Sequence, residues 1–345
     1  MSLYTIKHVP ANEKQKLIDF IQNHWKRNHA LAISSELLDF QHLDTNQSEY
    51  HFIVAENNET KEYDALIGYI PVGQYDKELL NNGDYWGAIW KMREDIHNSE
   101  LNTVAFFLWK QLFKLPQWNS YGAIGISNIA KQIYLASRIC VAQLNQYHLL
   151  NDKIQEFCIA NGVSEQDFAR SKLDNIGESL SIKQIDIHTI EKASLKGYYK
   201  PLKSIMYLKN RYVNHPIYEY MFLGAYREEE LRFVLVIRRL CVNNSCCYRI
   251  VDVLGKLEGD IYSSLKQFLY ETGAEYIDCL NYGISNEVFF ALGFKLLDPQ
   301  GELIIPNYFE PFEKRNVIID IAYKATYPDY VAFKADSDQD RPNIL

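Results

Sequence analysis

The chain alternates short apolar runs with polar punctuation, and two periods recur along it. Leu3 to His8 alternates as a strand does, Pro10 breaks it, and Ala11 to Arg27 carries apolar residues at Leu17, Ile18, Phe20 and Ile21, as a helix does. His51 to Ala55 and Ala65 to Pro71 flank a polar turn at Glu56 to Tyr63, the pattern of an antiparallel hairpin. Asp84 to Met92 places aromatics on alternate positions, which predicts a further strand. Leu101 to Phe113 predicts an apolar helix stopped by Pro116. Ser120 to Ile126 reads as a strand, Asn128 to Ile139 as a helix and Val141 to Leu150 as a closing strand.

From Asn151 to Ser179 the text is polar and irregular, a linker with a helix of its own over Asp152 to Asn161. The same order then begins again. Ser181 to Ile187 is strand-like and Ile190 to Leu208 helical despite Pro201. Tyr218 to Tyr226 and Leu231 to Val242 form a hairpin across the acidic turn, and Cys247 to Leu254 is the next strand. A helix at Ile261 to Tyr270, a strand at Glu275 to Leu280 and a helix at Asn286 to Leu292 complete the series. The tetrapeptide Gly125-Ile126-Ser127-Asn128 recurs as Gly283-Ile284-Ser285-Asn286, 158 residues later. Recurrence of element order and local text predicts a duplicated α/β chain with mixed sheets. The expected division is residues 1–150, a linker over 151–179, and a second domain over 180–345.

Composition narrows the function classes. At 345 residues and 47% hydrophobic, two domains can each bury a core. A formal net charge of −8, without a basic cluster, argues against a nucleic-acid partner, since phosphate binding depends on grouped Lys and Arg. No apolar run approaches the roughly 18 residues that would span a bilayer, and the start MSLYTIKHVP lacks a leader pattern. The expectation is a cytoplasmic protein with no membrane insertion. The six cysteines are scattered and expected to be reduced, and without a C-x-x-C pair no metal site is expected.

The order strand, helix, hairpin, aromatic strand, helix, strand, helix resembles the GNAT acyltransferase fold. Five segments together resemble the tandem-GNAT sugar N-acyltransferases of bacterial surface-polysaccharide pathways: ALIGYIPVGQYD at 65–76, YWGAIWKMRED at 85–95, RYVNHPIYEY at 211–220, EYIDCLNYGIS at 275–285, and the ending IIPNYFEPF with FKADSDQDRPN. That resemblance covers both halves. It implies transfer of an acetyl or short hydroxyacyl group, such as 3-hydroxybutanoyl, from CoA to the amine of a dTDP-linked 3-amino-3,6-dideoxyhexose. Acyl-CoA is then a co-substrate, with no tightly bound cofactor. The alternatives are a tRNA-dependent aminoacyl transferase of the same tandem type, which the negative charge weakens, and a non-catalytic binding protein whose CoA sites have decayed.

In this fold acyl-CoA lies where the fourth and fifth strands splay apart, with its pyrophosphate on the N-terminus of the following helix, which offers backbone donors and partial positive charge. The resemblance places these positions at Trp90, Lys91 and Met92 on the strand and Asn102, Thr103 and Val104 on the helix of the first half. The turn Asn98 to Thr103 departs from the glycine-rich family pattern, and Glu100 would repel a pyrophosphate unless it is turned away. The second half offers Gly255 to Gly259, also off pattern.

For the chemistry, His215, set before Pro216, is a candidate base or a hydrogen-bonded core histidine. Asp278 and Tyr282, with Asn281, stand at a strand end where α/β folds gather ligand groups; the same residues also suit a plain turn. In the first half, Gln41, His42 and Tyr134 are weaker candidates of the same kinds, Tyr134 on its apolar helix being equally a core residue, while Asn307 and Tyr308 are candidates to line the nucleotide pocket or a plain strand end. In the tail, Asp336, Asp338 and Asp340 suit a sugar amine and Arg341 a phosphate, or the segment is an acidic terminus.

Overall fold

In the computed structural model the structure describes residues 2–171, 173 and 177–340. The chain divides into two units. The first comprises Met1–Val141, a returning stretch Ile321–Tyr327 and the tail from Ser337; the second comprises Ala142–Asp320 and Pro328–Asp336.

Each unit is a mixed sheet with the same strand order. In the first, the sheet runs Tyr4–Pro10, Glu49–Asn57, Tyr63–Pro71, Asp84–Met92, Ser120–Ile124 and Asp320–Ala325. In the second it runs Ser181–Ile185, Met221–Arg227, Glu230–Val242, Ser245–Gly255, Tyr276–Tyr282 and Asn145–Leu150, with Lys295–Leu296 at its edge. Among these described strands, neighbours are antiparallel except one pair in each unit: Asp84–Met92 with Ser120–Ile124, and Ser245–Gly255 with Tyr276–Tyr282. Both parallel connections cross over through a helix, Ser99–Gln111 and Tyr262–Thr272 respectively, as a parallel pair requires.

The duplication holds with one correction to the strand ledger. Asn145–Leu150, expected to close the first half, pairs along its whole length with Tyr276–Tyr282 of the second sheet. The corresponding place in the first sheet, beside Ser120–Ile124, is taken by Asp320–Ala325 from the far end of the chain. Local alternation identifies a strand but not its partner, because any strand of the right pleat satisfies the same ladder.

The expected helix over Asp152 to Asn161 is absent, for a visible reason. The buried carboxylate of Glu275 accepts the backbone N–H groups of Cys158 at 2.7 Å, Ile159 at 3.0 Å and Ala160 at 2.9 Å, donors that a helix would have kept for itself. The expected helix Ile190 to Leu208 is likewise two short ones, Ile187–Ala193 and Ile205–Leu208. Ser194 leaves the helical region at φ 52°, and the Ser204 hydroxyl caps the second by accepting from Tyr207 N–H.

One cysteine expectation also fails. Asn243 and Asn244 both adopt positive φ, 50° and 66°, giving a two-residue hairpin turn. That turn fixes the register at Val242 opposite Ser245 and so sets Cys241 opposite Cys246, where they form a disulfide. Cys140, Cys158, Cys247 and Cys279 are free thiols.

Candidate active site

Both units carry a bulge on the long strand that precedes the parallel crossover. In the first, Tyr69 is opposite Gly87 but Ile67 is opposite Trp90, so one extra residue lies on Asp84–Met92. In the second, Val236 is opposite Asp252 and Ile237 opposite Ile250, which extrudes Val251. A bulge bends the strand away from its neighbour. The consequence is a wedge: the first unit keeps parallel pairing only over Asp84–Gly87 with Ser120–Ala123, and the second only over Tyr248–Ile250 with Ile277–Cys279.

The first wedge has an aromatic floor. Gly87 is its last paired residue, and a side chain there would meet the Tyr121 hydroxyl at 2.4 Å, so only glycine admits this approach. Tyr121 and Tyr134 share a buried hydrogen bond of 2.8 Å between their hydroxyls. Burial pushes the Tyr134 phenol up to about 12 and raises Tyr121 further, so both are protonated near neutral pH. Trp90 packs with Trp109 and Tyr134 and donates its indole N–H to the Ala105 carbonyl, fixing the strand to helix Ser99–Gln111. At the apex the Ser337 hydroxyl donates to the Gly87 carbonyl and accepts from Ile124 N–H.

The helix entrance beside this wedge is arranged as follows. Asn98 caps Ser99–Gln111 by accepting from Glu100 N–H at 2.8 Å. Glu100 turns away and accepts Leu3 N–H at 2.9 Å and the Ser2 hydroxyl, so its charge is spent on the edge strand. Asn102, closing the first turn, and Thr103 after it are exposed, Val104 is half-buried against the core, and Met92 packs on that core. Lys91 pairs with Glu94.

The second wedge is different. Ala332–Phe333 lies in it, antiparallel to Asn281–Tyr282, and Ala335 N–H donates to the bulged Val251 carbonyl at 3.1 Å. Behind it, the buried Lys203 ammonium lies 2.6 Å from Asp252 and 2.8 Å from Asp336, and the Tyr212 hydroxyl donates to Asp252 at 2.6 Å. Burial works against the Lys203 charge, but the two carboxylates outweigh it and hold its pKa above the ordinary lysine value. With two carboxylates to one ammonium, burial pushes Asp336 up to about 6 despite the pull of Lys203.

Several site candidates take structural roles here. His215 Nδ1 accepts from the N–H groups of Ile217 at 3.1 Å and Tyr218 at 2.9 Å, which places the proton on Nε2. The geometry fits the core alternative and leaves no lone pair for a base. Asp278 is fully buried, clasped by Arg249 at 2.9 and 2.6 Å and by Gln146 at 2.8 Å, so it cannot hold a substrate amine without breaking a buried ion pair. Asn281 spends its amide on the Ala332 carbonyl and its oxygen on Ile284 N–H, shaping the turn that Tyr282 enters half-buried. Arg249 also donates to the Asn307 carbonyl, while the Asn307 amide reaches the Val317 carbonyl. Tyr308 is half-buried with the Lys334 ammonium 5.0 Å from its ring centre. Asp336 belongs to the Lys203 cluster, Asp338 lies in the last short turn, and Asp340 is buried. Arg341 lies outside the described residues. His42 is buried with Nδ1 3.2 Å from the Tyr69 carbonyl, and Gln41 is buried beside it.

Arg249, Lys203, Asp252 and Tyr121 were not singled out by the sequence. For two of them a signal exists: Arg249 and Asp252 interrupt the run CYRIVDVL, and a charge in a strand buried on both faces must find a partner.

No family model and no curated protein matches the chain. Solved structures do. A GCN5-related N-acetyltransferase from Anabaena variabilis ATCC 29413 is similar over 94% of this chain and 73% of its own, with a TM-score of 0.54 and 9% identity. A conserved protein from Enterococcus faecalis V583, described as a probable N-acyltransferase, is similar over 92% of this chain and 71% of its own, again with a TM-score of 0.54 and 9% identity. The likeness is one of fold, and the chain consists of two tandem GNAT-like domains. Among the described residues no helix is long and apolar enough to cross a membrane.

Proposed function

We propose that the protein is an acyl-CoA-dependent N-acyltransferase that holds its acyl donor in the first unit. The observation that carries this reading is the first wedge. Beyond Gly87, Asp84–Met92 has no sheet partner on the Ser120–Ile124 side among the described residues. Backbone groups on a divergent strand suit an extended amide chain such as pantetheine, which can pair with them as a strand does. Trp90 and Met92 flank that edge, and Asn102, Thr103 and Val104 follow directly on the leading residues of the helix, whose backbone donors suit a pyrophosphate; the Asn102 N–H is itself given to the Asn98 carbonyl.

In the reaction, the amine nitrogen attacks the thioester carbonyl, the C–N bond forms, and the C–S bond breaks with its electron pair on sulfur. The proton lost by nitrogen goes to solvent or a side chain, and the departing thiolate takes one. Tyr134, hydrogen-bonded to Tyr121 beneath Gly87, is a candidate hydrogen-bond donor to the departing sulfur; raised to about 12 it holds its own proton, so the thiolate takes its proton from solvent.

The acceptor in this reading is the amine of a dTDP-linked 3-amino-3,6-dideoxyhexose of surface-polysaccharide synthesis, and the acyl group is acetyl or 3-hydroxybutanoyl. The resemblance of the five sequence segments supports it. The test is release of CoA thiol from acetyl- and 3-hydroxybutanoyl-CoA against a panel of dTDP-linked 3-amino and 4-amino dideoxysugars, with product masses read in parallel. Turnover with one sugar and a matching acylated product would bear out the reading. Turnover with none, together with no acyl-CoA binding, would overturn it.

A further inference from the structure

The two wedges arise from the same bulge, yet the second already contains an extended chain. Ala332–Phe333 pairs with Asn281–Tyr282 on one side, and Ala335 N–H reaches the extruded residue Val251 on the other. Val331 N–H donates to the Lys200 carbonyl at 2.7 Å. The segment thus satisfies, from within the chain, the polar groups a splayed pair of strands would otherwise leave for a ligand. Its side chains belong to the core of the unit: Val331 and Phe333 join the main apolar cluster, and Ala332 is wholly buried.

A latch follows the strand. Asp336 turns back so that its carboxylate accepts Phe333 N–H at 2.9 Å and binds Lys203 at 2.8 Å, and Lys203 is tied in turn to Asp252 on the bulged strand. The Phe333 ring lies 5.5 Å from the same ammonium. An acyl-CoA entering here would have to break the ladder, expose an aromatic side chain and strand a buried lysine.

We infer that the segment 330–336 is a built-in strand that permanently fills the cofactor-type wedge of the second unit, so that one chain takes up a single acyl-CoA, in the first unit. The single-occupancy part rests on the acyltransferase reading; the filling of the wedge does not.

Hydrogen exchange and binding stoichiometry, measured on the full chain, separate the two parts. The amides of Phe333 and Ala335 should be protected in the protein alone and remain so with saturating acetyl-CoA, while calorimetry counts one acetyl-CoA per chain. Asp336→Ala, which leaves a neutral Lys203–Asp252 pair, should speed exchange of these amides at least tenfold. Two acetyl-CoA molecules per chain, or loss of protection on adding acetyl-CoA, would overturn the inference. If acetyl-CoA does not bind at all, the acyltransferase reading falls. Protection of Ala335 in the protein alone then still supports the filled wedge, and exchange at the rate of an open loop sinks it. Should the variant fail to fold, exchange in the unaltered chain gives the same decision.

Discussion

The two units share a strand order and a bulge but differ in what they put at the point where the parallel strands part. The first begins its parallel pairing with the Ser120 hydroxyl on Asp84, runs it over aromatic side chains, and ends it at Gly87 above a tyrosine pair. The second braces its pairing with the buried Arg249–Asp278 ion pair and fills the gap with its own chain. A splayed ladder leaves backbone polar groups needing partners. A duplicated fold can meet that need from outside, as a ligand site, or from within, as structure. Charge pairs lie behind the filled wedge, whereas the other has tyrosine hydroxyls beneath it and, among the described residues, only the Ser337 hydroxyl bridging its apex.

The sharpest way to break the contrast is to remove its ion pair. Arg249→Met leaves Asp278 charged and buried, and should destabilise the second unit by about 3–5 kcal/mol, the usual cost of orphaning one partner. Arg249→Met with Asp278→Leu should recover most of that loss in denaturant titrations. If the single variant is as stable as the parent, the pair does not brace the wedge.

The next effect acts on both units alike. His51 in the first and His148 in the second are buried, and burial pushes both down to about 4. Neither nitrogen of His148 has a partner among the described residues. Each imidazole is neutral when folded but protonates near its ordinary value when unfolded, so the stability it contributes is complete above about 6.5 and is lost as pH falls toward 4. The loss is on the order of 3 kcal/mol per histidine at the acid limit. Asp336 has the opposite sign: its raised pKa favours the folded state at low pH, and that gain disappears as pH rises from about 4 through 6. Thermal scans should show His51→Phe and His148→Phe each flattening the acid limb. An unchanged limb would mean that these rings are hydrated in solution.

How much of this was readable beforehand follows from which interactions are local. Element types and the duplicated order came from apolar spacing, and the aromatic strand Asp84–Met92 is where the spacing placed it, whereas the strand expected over Ser120 to Ile126 stops at Ile124, where Gly125 turns at φ 72°. The exchange of Asn145–Leu150 and Asp320–Ala325 between sheets was hidden, since pairing over such separations leaves no local trace. The missing helix after Asn151 depends on Glu275, more than a hundred residues on. Among site candidates, Trp90 and Met92 lie along the first wedge, whereas His215, Asp278 and Asn281 turned out to serve backbone and ion-pair needs. A histidine before proline or an asparagine two residues ahead of a glycine has the same text in a turn as in a site, and only the partners of its ring or amide decide.

A smaller and more selective effect tests which wedge takes the acyl donor. Thr103→Glu puts a carboxylate on an exposed position just past the first turn of the first unit's crossover helix, and Lys256→Glu puts one after the bulged strand of the second. Repulsion of a pyrophosphate should weaken acetyl-CoA binding roughly tenfold for Thr103→Glu, about 1.4 kcal/mol. Lys256→Glu should change it less than about twofold. Equal effects, or the reverse, would remove the functional side of the contrast.

The smallest effect separates the stability of a helix end from its availability. Asn98 caps Ser99–Gln111 through Glu100 N–H, and Asp260, one residue ahead of the N-cap Ile261, accepts Tyr262 N–H at 2.9 Å at the start of Tyr262–Thr272 and also pairs with Arg170 at 2.9 Å. Asn98→Ala should cost about 1 kcal/mol of stability and Asp260→Ala at least as much, since it also loses the Arg170 pair, so on unfolding the two variants look alike in direction. On acetyl-CoA binding they should not. Losing Asn98 releases a backbone donor next to the wedge proposed to hold the pyrophosphate, so affinity should hold or rise slightly although the protein is less stable. Losing Asp260 should leave affinity unchanged. A fall in affinity for Asn98→Ala in proportion to its lost stability would show that the cap orders the binding loop, and that the donor given to Asn98 is not one the ligand competes for.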